Sequence, residues 1–247
     1  MTRRGKAANG LSVLLLTDEG LVPERPRSQL AGREAELRKT EYDVVGALKG
    51  LGHEVTCAGV GSDLGVIGRA IARRRPQVVF NLVEEYEGLP YFDQHVVSYL
   101  ELRRQKYTGC NPRGLLLARD KALAKMILSY HRIKVPRFAV VPPRRSATIP
   151  QRLRFPLFVK SLAGEGSEGI AQASLVRGHE KLLERVAFIH ERTGGAALVE
   201  EYIEGREIYV GVLGNELLTA LPAWELTMRK RRGGTPIIAT DRVKWDP

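Results

Sequence analysis

The sequence predicts an α/β domain of doubly wound type followed by a domain of α+β type. Short apolar runs alternate with segments of helical period from residue 11 to about residue 110, the order that builds parallel βαβ units. From Phe155 onward the order becomes strand, glycine loop, strand, helix, strand, turn, strand, which is α+β rather than βαβ order. Cys110-Asn111-Pro112 interrupts both patterns. The expected layout is therefore a basic tail over residues 1–10, a first domain over 11–112 and a second over 113–247. At 247 residues two domains are the default.

Each element has its own signal. Leu11-Ser12-Val13-Leu14-Leu15-Leu16 is apolar enough for a strand buried on both faces. Glu34 to Leu51 places Leu37, Val44, Val45 and Leu48 at near-helical spacing, and Gly50 and Gly52 mark its end. Glu54 to Ala58 returns to a strand pattern, Leu64 to Ala72 reads as a helix, and Gln77 to Leu82 as a third strand. Phe92 to Arg104 is helical, and Lys106-Tyr107-Thr108-Gly109 reads as a short strand and turn. Leu115 to Tyr130 predicts one long helix with Leu116, Leu123, Met126 and Ile127 on a face, and with Lys121 and Lys125 four apart and able to point the same way. Val135 to Val141 is strand-like and is broken by Pro142-Pro143. Ile170 to Val176 predicts a strand, and His179 to Arg192 a helix stopped by Gly194-Gly195.

The composition narrows the function classes. With 43% hydrophobic and 27% charged residues the chain can build real cores, which excludes global disorder. No apolar run approaches a membrane span, and no signal-like segment follows the basic head Met1-Thr2-Arg3-Arg4-Gly5-Lys6, so the expected location is cytoplasmic. Cys57 and Cys110 form neither a close-spaced metal pair nor a disulfide framework. A net charge of +11 keeps polyanions in view. The basic clusters, however, are scattered, aromatic content is 6%, and no nucleic-acid-binding signature is present. Nucleic acid is therefore not the expected ligand.

The chemistry concentrates in Phe155 to Ile170 and Leu198 to Glu207. Lys160 ends a strand, a stiff base that would hold its ammonium in one place against a phosphate oxygen. Gly164, Gly166 and Gly169 then allow backbone N–H groups to approach phosphates closely, and Ser167 adds a hydroxyl donor. No Gly-Lys-Ser/Thr closes the loop and a strand follows it, so it is neither a Walker A loop nor a dinucleotide fingerprint. The plainer alternative is a glycine-rich hairpin with a solvated lysine. About thirty residues on, Glu200, Glu201, Tyr202 and Ile203 put acidic groups in an apolar strand, and Glu207 follows. Their backbone could read an adenine edge while Glu207 accepts from ribose hydroxyls; the alternative is an edge strand protected by charge. Taken together, the two stretches point to a nucleotide triphosphate site, and ATP is the expected ligand.

With these residues the chain resembles the ATP-grasp superfamily, and within it the D-alanine–D-alanine ligase-like branch. Phe80-Asn81 and Tyr107-Thr108-Gly109 resemble the family's first domain and its exit. Arg119-Asp120-Lys121 with Lys125 resembles its lysine helix, and Val159-Lys160 with Gly164 to Ile170 resembles its central lysine and phosphate-covering loop. Val199 to Glu207 with Val212-Leu213-Gly214-Asn215 resembles the hinge and ribose-binding strands. The resemblance covers nearly the whole chain. It implies a Rossmann-like pre-ATP-grasp α/β domain followed by an α+β ATP-grasp domain. It also implies Lys121 and Lys160 at the phosphates, Gly166 and Ser167 closing over them, Glu200, Glu201, Tyr202 and Ile203 along the adenine, and Glu207 at the ribose. Lys244 is then the expected catalytic group, with Glu84 and Trp245 toward the substrate.

The implied activity is ligation of a carboxylate to an amine through an acyl phosphate, using ATP and Mg2+, with amino acids or similar molecules as substrates and peptidoglycan synthesis as one context. A homodimer is compatible with the resemblance. Where the family has His-Gly soon after Phe-Asn, this chain reads Val83-Glu84-Glu85-Tyr86, which makes a substrate other than D-alanine an open alternative. The family's later arginine, aspartate and Glu-x-Asn metal segment has no counterpart before Asp246-Pro247. The expectation is thus an ATP-grasp domain incomplete at the C-terminus, with no metal ligand in this chain and little ligase turnover. A non-catalytic ATP-binding fragment or regulatory domain stands as the second reading, and a basic nucleic-acid-binding protein as the third.

Overall fold

The computed structural model describes residues 10–143, 152–164 and 169–227. The chain divides into two compact units after Arg119. In the first, β1 (Ser12–Asp18), β2 (Glu54–Val60) and β3 (Val78–Asn81) form a parallel sheet in the order β2-β1-β3. The central β1 carries the Val13 to Leu16 run, all of it buried. A strand flanked on both edges and covered on both faces has no solvent side on which to place polar residues, hence the unbroken apolar sequence. Leu14, Leu16, Val60, Ile67, Val79, Val83, Val96 and Leu100 make one core. The short strand expected at Lys106 to Thr108 is a single parallel bridge between Tyr107 and Val79.

The helices of this unit are α1 (Gly32–Leu37), α2 (Lys39–Gly50), α3 (Gly65–Arg74), α4 (Asp93–Leu102) and α5 (Pro112–Arg119). The single helix expected from Glu34 to Leu51 is two, because Arg38 adopts φ −102° and ψ 11° and turns the axis between α1 and α2. The sequence boundary at 112/113 would have put α5 in the second domain. In the structure α5 packs on α4, and the buried Arg119 guanidinium pairs with the buried Asp93 carboxylate.

The second unit opens with α6 (Lys121–Tyr130). The long helix expected over 115–130 breaks at Asp120, whose backbone is extended and whose carboxylate accepts from Ala122 N and Leu123 N, both at 2.9 Å. Asp120 thus begins a new helix rather than continuing the old one. The main sheet contains β4 (Phe138–Val141), β5 (Leu157–Ser161), β6 (Leu175–Val176) and β7 (Ala197–Glu201), antiparallel throughout in the order β4-β7-β5-β6. The helix α7 (His179–Thr193) covers one face, where Leu182, Val186 and Ile189 meet Val141, Leu157, Val159, Ala197 and Val199. It ends at Gly194, whose φ of +64° suits a residue without a Cβ. The strand expected over Ile170 to Val176 shrinks to the two residues of β6. Gln172 to Ser174 instead form a 3-10 turn, with the Ser174 hydroxyl accepting from Ala171 N at 3.1 Å. Two small antiparallel ladders follow: β8 (Glu207–Tyr209) with β11 (Trp224–Leu226), and β9 (Val212–Leu213) with β10 (Thr219–Ala220).

Candidate functional site

Successive strand residues point to opposite faces. On β7, Ala197 and Val199 enter the core under α7, so Leu198 and Glu200 face the other way. Glu200 is only 7% exposed, yet it lies in the central strand, between its register neighbours Phe138 on β4 and Phe158 on β5. An edge strand protected by charge is therefore not what these residues form. A buried carboxylate in that position requires cations, and it has two. Lys160, two residues after Phe158 and on the same face of β5, places Nζ 2.6 Å from Glu200 Oε1. Lys125, one turn into α6, places Nζ 2.7 Å from Oε2. Burial pushes the Glu200 carboxyl up, but Lys160 and Lys125 together outweigh burial and hold it below the usual carboxylate range.

Aromatic rings border this cluster. The Lys125 ammonium lies 5.8 Å from the centre of the Phe138 ring, and the Lys160 ammonium 6.0 Å from that of Phe158. The Tyr202 ring centre is 6.5 Å from that of Phe158. One face of the sheet therefore joins flat apolar surface to a charge cluster with two ammoniums and one carboxylate, a net +1. Such a face can hold a planar ring and, next to it, an anion.

Lys121 sits at the first position of α6 because Asp120 caps the helix. Its ammonium donates to the carbonyl oxygens of Leu162, at 3.2 Å, and Gly164. Gly164 N in turn donates to Ser161 Oγ at 3.0 Å. Lys121 thus secures the chain where it leaves β5 for the glycine loop. At the far side of that loop, the buried Arg185 on α7 donates to the carbonyl of Gly169 and to Ser174 Oγ, the latter at 2.9 Å.

The residues expected along an adenine do not act as one row. Glu201 points away from Glu200, and its Oε1 accepts from Arg154 N at 3.1 Å. The Glu201 N–H donates to Arg137 O and the Tyr202 N–H to Pro156 O, at 2.9 and 3.0 Å. Ile203 is exposed beyond the end of β7. Glu207 is exposed at the start of β8 and accepts from the Tyr209 hydroxyl. Glu84 belongs to the first unit, where it is exposed after β3 and its backbone carbonyl accepts from Arg119 at 3.3 Å. Gly166, Ser167, Lys244 and Trp245 lie outside the described residues. Lys125 is the group that sequence reasoning left out of the site. Its spacing from Lys121 indicated a shared helix face, but nothing in the sequence placed Glu200 opposite it.

Among the described residues no group of His, Cys, Asp and Glu could hold a metal ion. No helix among the described residues is long and apolar enough to cross a membrane.

Residues 127–232 match the family model described as D-ala D-ala ligase C-terminus. Among similar proteins, the uncharacterized protein y4sG of Sinorhizobium fredii (strain NBRC 101917 / NGR234) is 34% identical over 211 residues, 83% of this chain and 59% of its own length. The D-alanine–D-alanine ligase of Nitratidesulfovibrio vulgaris (strain DP4) is 35% identical over 176 residues, 71% of this chain and 54% of the ligase. The chain thus spans between half and two thirds of the length of these relatives. Among solved structures, the Bacillus anthracis D-alanine–D-alanine ligase complexed with ATP aligns with a TM-score of 0.67 at 18% identity, over 90% of this chain and 68% of that one. The Coxiella burnetii ligase aligns with a TM-score of 0.62 at 20% identity, over 87% and 71%. At these identities the structural likeness speaks for the fold.

Proposed function

The chain is D-alanine–D-alanine ligase-like with an ATP-grasp fold, and from that premise we propose that its second unit binds ATP, in the service of ATP-dependent ligation of a carboxylate to an amine. The observation that carries the reading is the pair of ammoniums on Glu200, bordered by Phe138, Phe158 and Tyr202. Adenine is a flat, largely apolar ring and the triphosphate is a polyanion, so the two halves of this face match the two halves of the ligand. Lys160 is the group for the phosphates. Lys121 is the second phosphate contact, and it also orders the entry to the glycine loop through the Leu162 and Gly164 carbonyls. Gly166 and Ser167 complete the cover, Tyr202 and Ile203 border the adenine, and Glu207 accepts from the ribose.

In the proposed reaction a substrate carboxylate oxygen attacks the γ-phosphorus, giving an acyl phosphate and ADP. An amine then attacks the acyl carbon and inorganic phosphate leaves. Charge neutralisation and positioning dominate phosphoryl transfer, and Lys160 and Lys121 contribute to both. The substrates are amino acids or similar small carboxylates and amines, with Lys244 and Trp245 assigned to the acceptor side, and the cytoplasm is the proposed location. Titration of the chain with ATP tests the reading. Saturable binding is expected, about tenfold or more weaker in Lys160→Ala, corresponding to about 1.4 kcal/mol or more. Equal affinity in the variant would remove Lys160 from the site. Amino-acid-dependent ADP release separates a turning-over ligase from a module that binds ATP without catalysis.

A further inference from the structure

We propose that Lys125 is a positioning residue for ATP binding: it shares the charge of Glu200 so that Lys160 keeps a net cation to offer the phosphates. The inference rests on the reading of this face as an ATP site and deepens it. An isolated Lys160–Glu200 pair would be neutral and self-satisfied. Glu200 is buried and fixed in the central strand, so its carboxylate cannot move away when a phosphate arrives. Only a second cation can release Lys160 from that carboxylate, and Lys125 Nζ is at 2.7 Å on the other oxygen. A lysine ammonium has three donors. Lys160 Nζ, at 2.6 Å from Oε1, uses one of them on Glu200 and its side chain remains 22% exposed, whereas that of Lys125 is 13% exposed. The more accessible ammonium faces the ligand, and the more buried one balances the carboxylate. The spacing follows from the fold. Asp120 starts α6, Lys125 comes one turn later, and β7 presents Glu200 on the face opposite the α7 core.

The proposal assigns each variant a cluster charge: +1 in the wild type, 0 in Lys125→Met, +2 in Glu200→Gln and +1 in the double variant. ATP affinity should follow that order. Lys125→Met is expected to bind ATP about tenfold more weakly, since one unit charge a few ångströms away in a partly buried site is worth at least that. Lys125→Arg and Lys125→Met/Glu200→Gln are expected within about threefold of the wild type. Adenosine, which lacks phosphates, should bind the wild type, Lys125→Met and Lys125→Arg equally, and it doubles as a check that these variants fold. A purely structural role for Lys125 would weaken adenosine along with ATP and would not be relieved by the second substitution; either result overturns the proposal, as does a Lys125→Met affinity for ATP equal to that of the wild type. Should Lys125→Met not fold, the double and arginine variants still decide, since both must retain near-wild-type ATP affinity. If the wild type binds adenosine and ATP equally, the ATP-site reading falls and this inference falls with it.

Discussion

Glu200 and Glu41 are both buried carboxylates, and their surroundings push them in opposite directions. Glu41, in the first turn of α2, is 5% exposed. Burial raises its carboxyl and Glu84 adds to the rise, while its backbone hydrogen bond, Arg38 and Thr17 pull back without reversing it. Glu200 is held low by its two lysines against the effect of burial. The linkage signs therefore differ. For Glu200, stability is present above the unfolded value of about 4.3 and is lost as pH falls through the lower folded value. For Glu41, stability is present below that unfolded value and is lost as pH rises through the higher folded one. Urea denaturation between pH 3 and 7 checks both. Glu200→Gln should flatten the loss of stability on the acid side of pH 4.3. Glu41→Gln should flatten the loss above it and leave the protein relatively more stable at pH 7. If both variants keep the wild-type pH slope, the two assignments are wrong. At this scale the sequence was informative about Lys160, whose place at a strand end gave its role a physical reason. It was silent on the company Glu200 keeps, because strand alternation sends Glu201 to the opposite face and only the fold brings Lys125 to Glu200.

Asp120 shows what the elements add. Periodicity alone joined residues 115–130 into one helix, since the apolar positions on both sides of Asp120 keep in step. A capping carboxylate at that position is a local signal that competes with periodicity, and here it wins. Arg119 closes α5 in the first unit and Asp120 opens α6 in the second. Similarly, Arg38 splits the first long helix, and the Gln172 to Ser174 turn shortens the strand after the glycine loop. The strongly patterned elements β1, β5, α7 and β7 fall where the sequence put them. Asp120→Ala should cost about 1 kcal/mol of stability, a Tm lower by a few degrees for a unit of this size. It should also weaken ATP binding, because Lys121 and Lys125 take their places from the first turn of α6. A variant with an unchanged Tm would show that the cap does not hold the helix start.

For the whole molecule, the parallel three-stranded unit and the antiparallel four-stranded unit do different work. The first has the alternating order expected of a doubly wound domain, and its apolar β1 made it readable from sequence. The second owes its chemistry to a sheet with two unlike faces. One is sealed by α7, and the other carries Phe138, Phe158, Lys160, Glu200 and Tyr202. Motif order had led to the expectation of Lys160, Glu200 and Tyr202 in one site, whereas the division between faces required the register. The net charge of +11 agrees with a polyanionic ligand but does not specify one; the placed ammoniums on Glu200 do more. The central claim is that this face holds the triphosphate. A crystal structure of the chain with a non-hydrolysable ATP analogue tests it most directly. The account predicts a phosphate oxygen within about 3 Å of Lys160 Nζ, Lys125 still on Glu200, and the adenine against Phe158 and Tyr202. A nucleotide bound elsewhere, with Lys160 still engaged only by Glu200, would contradict it.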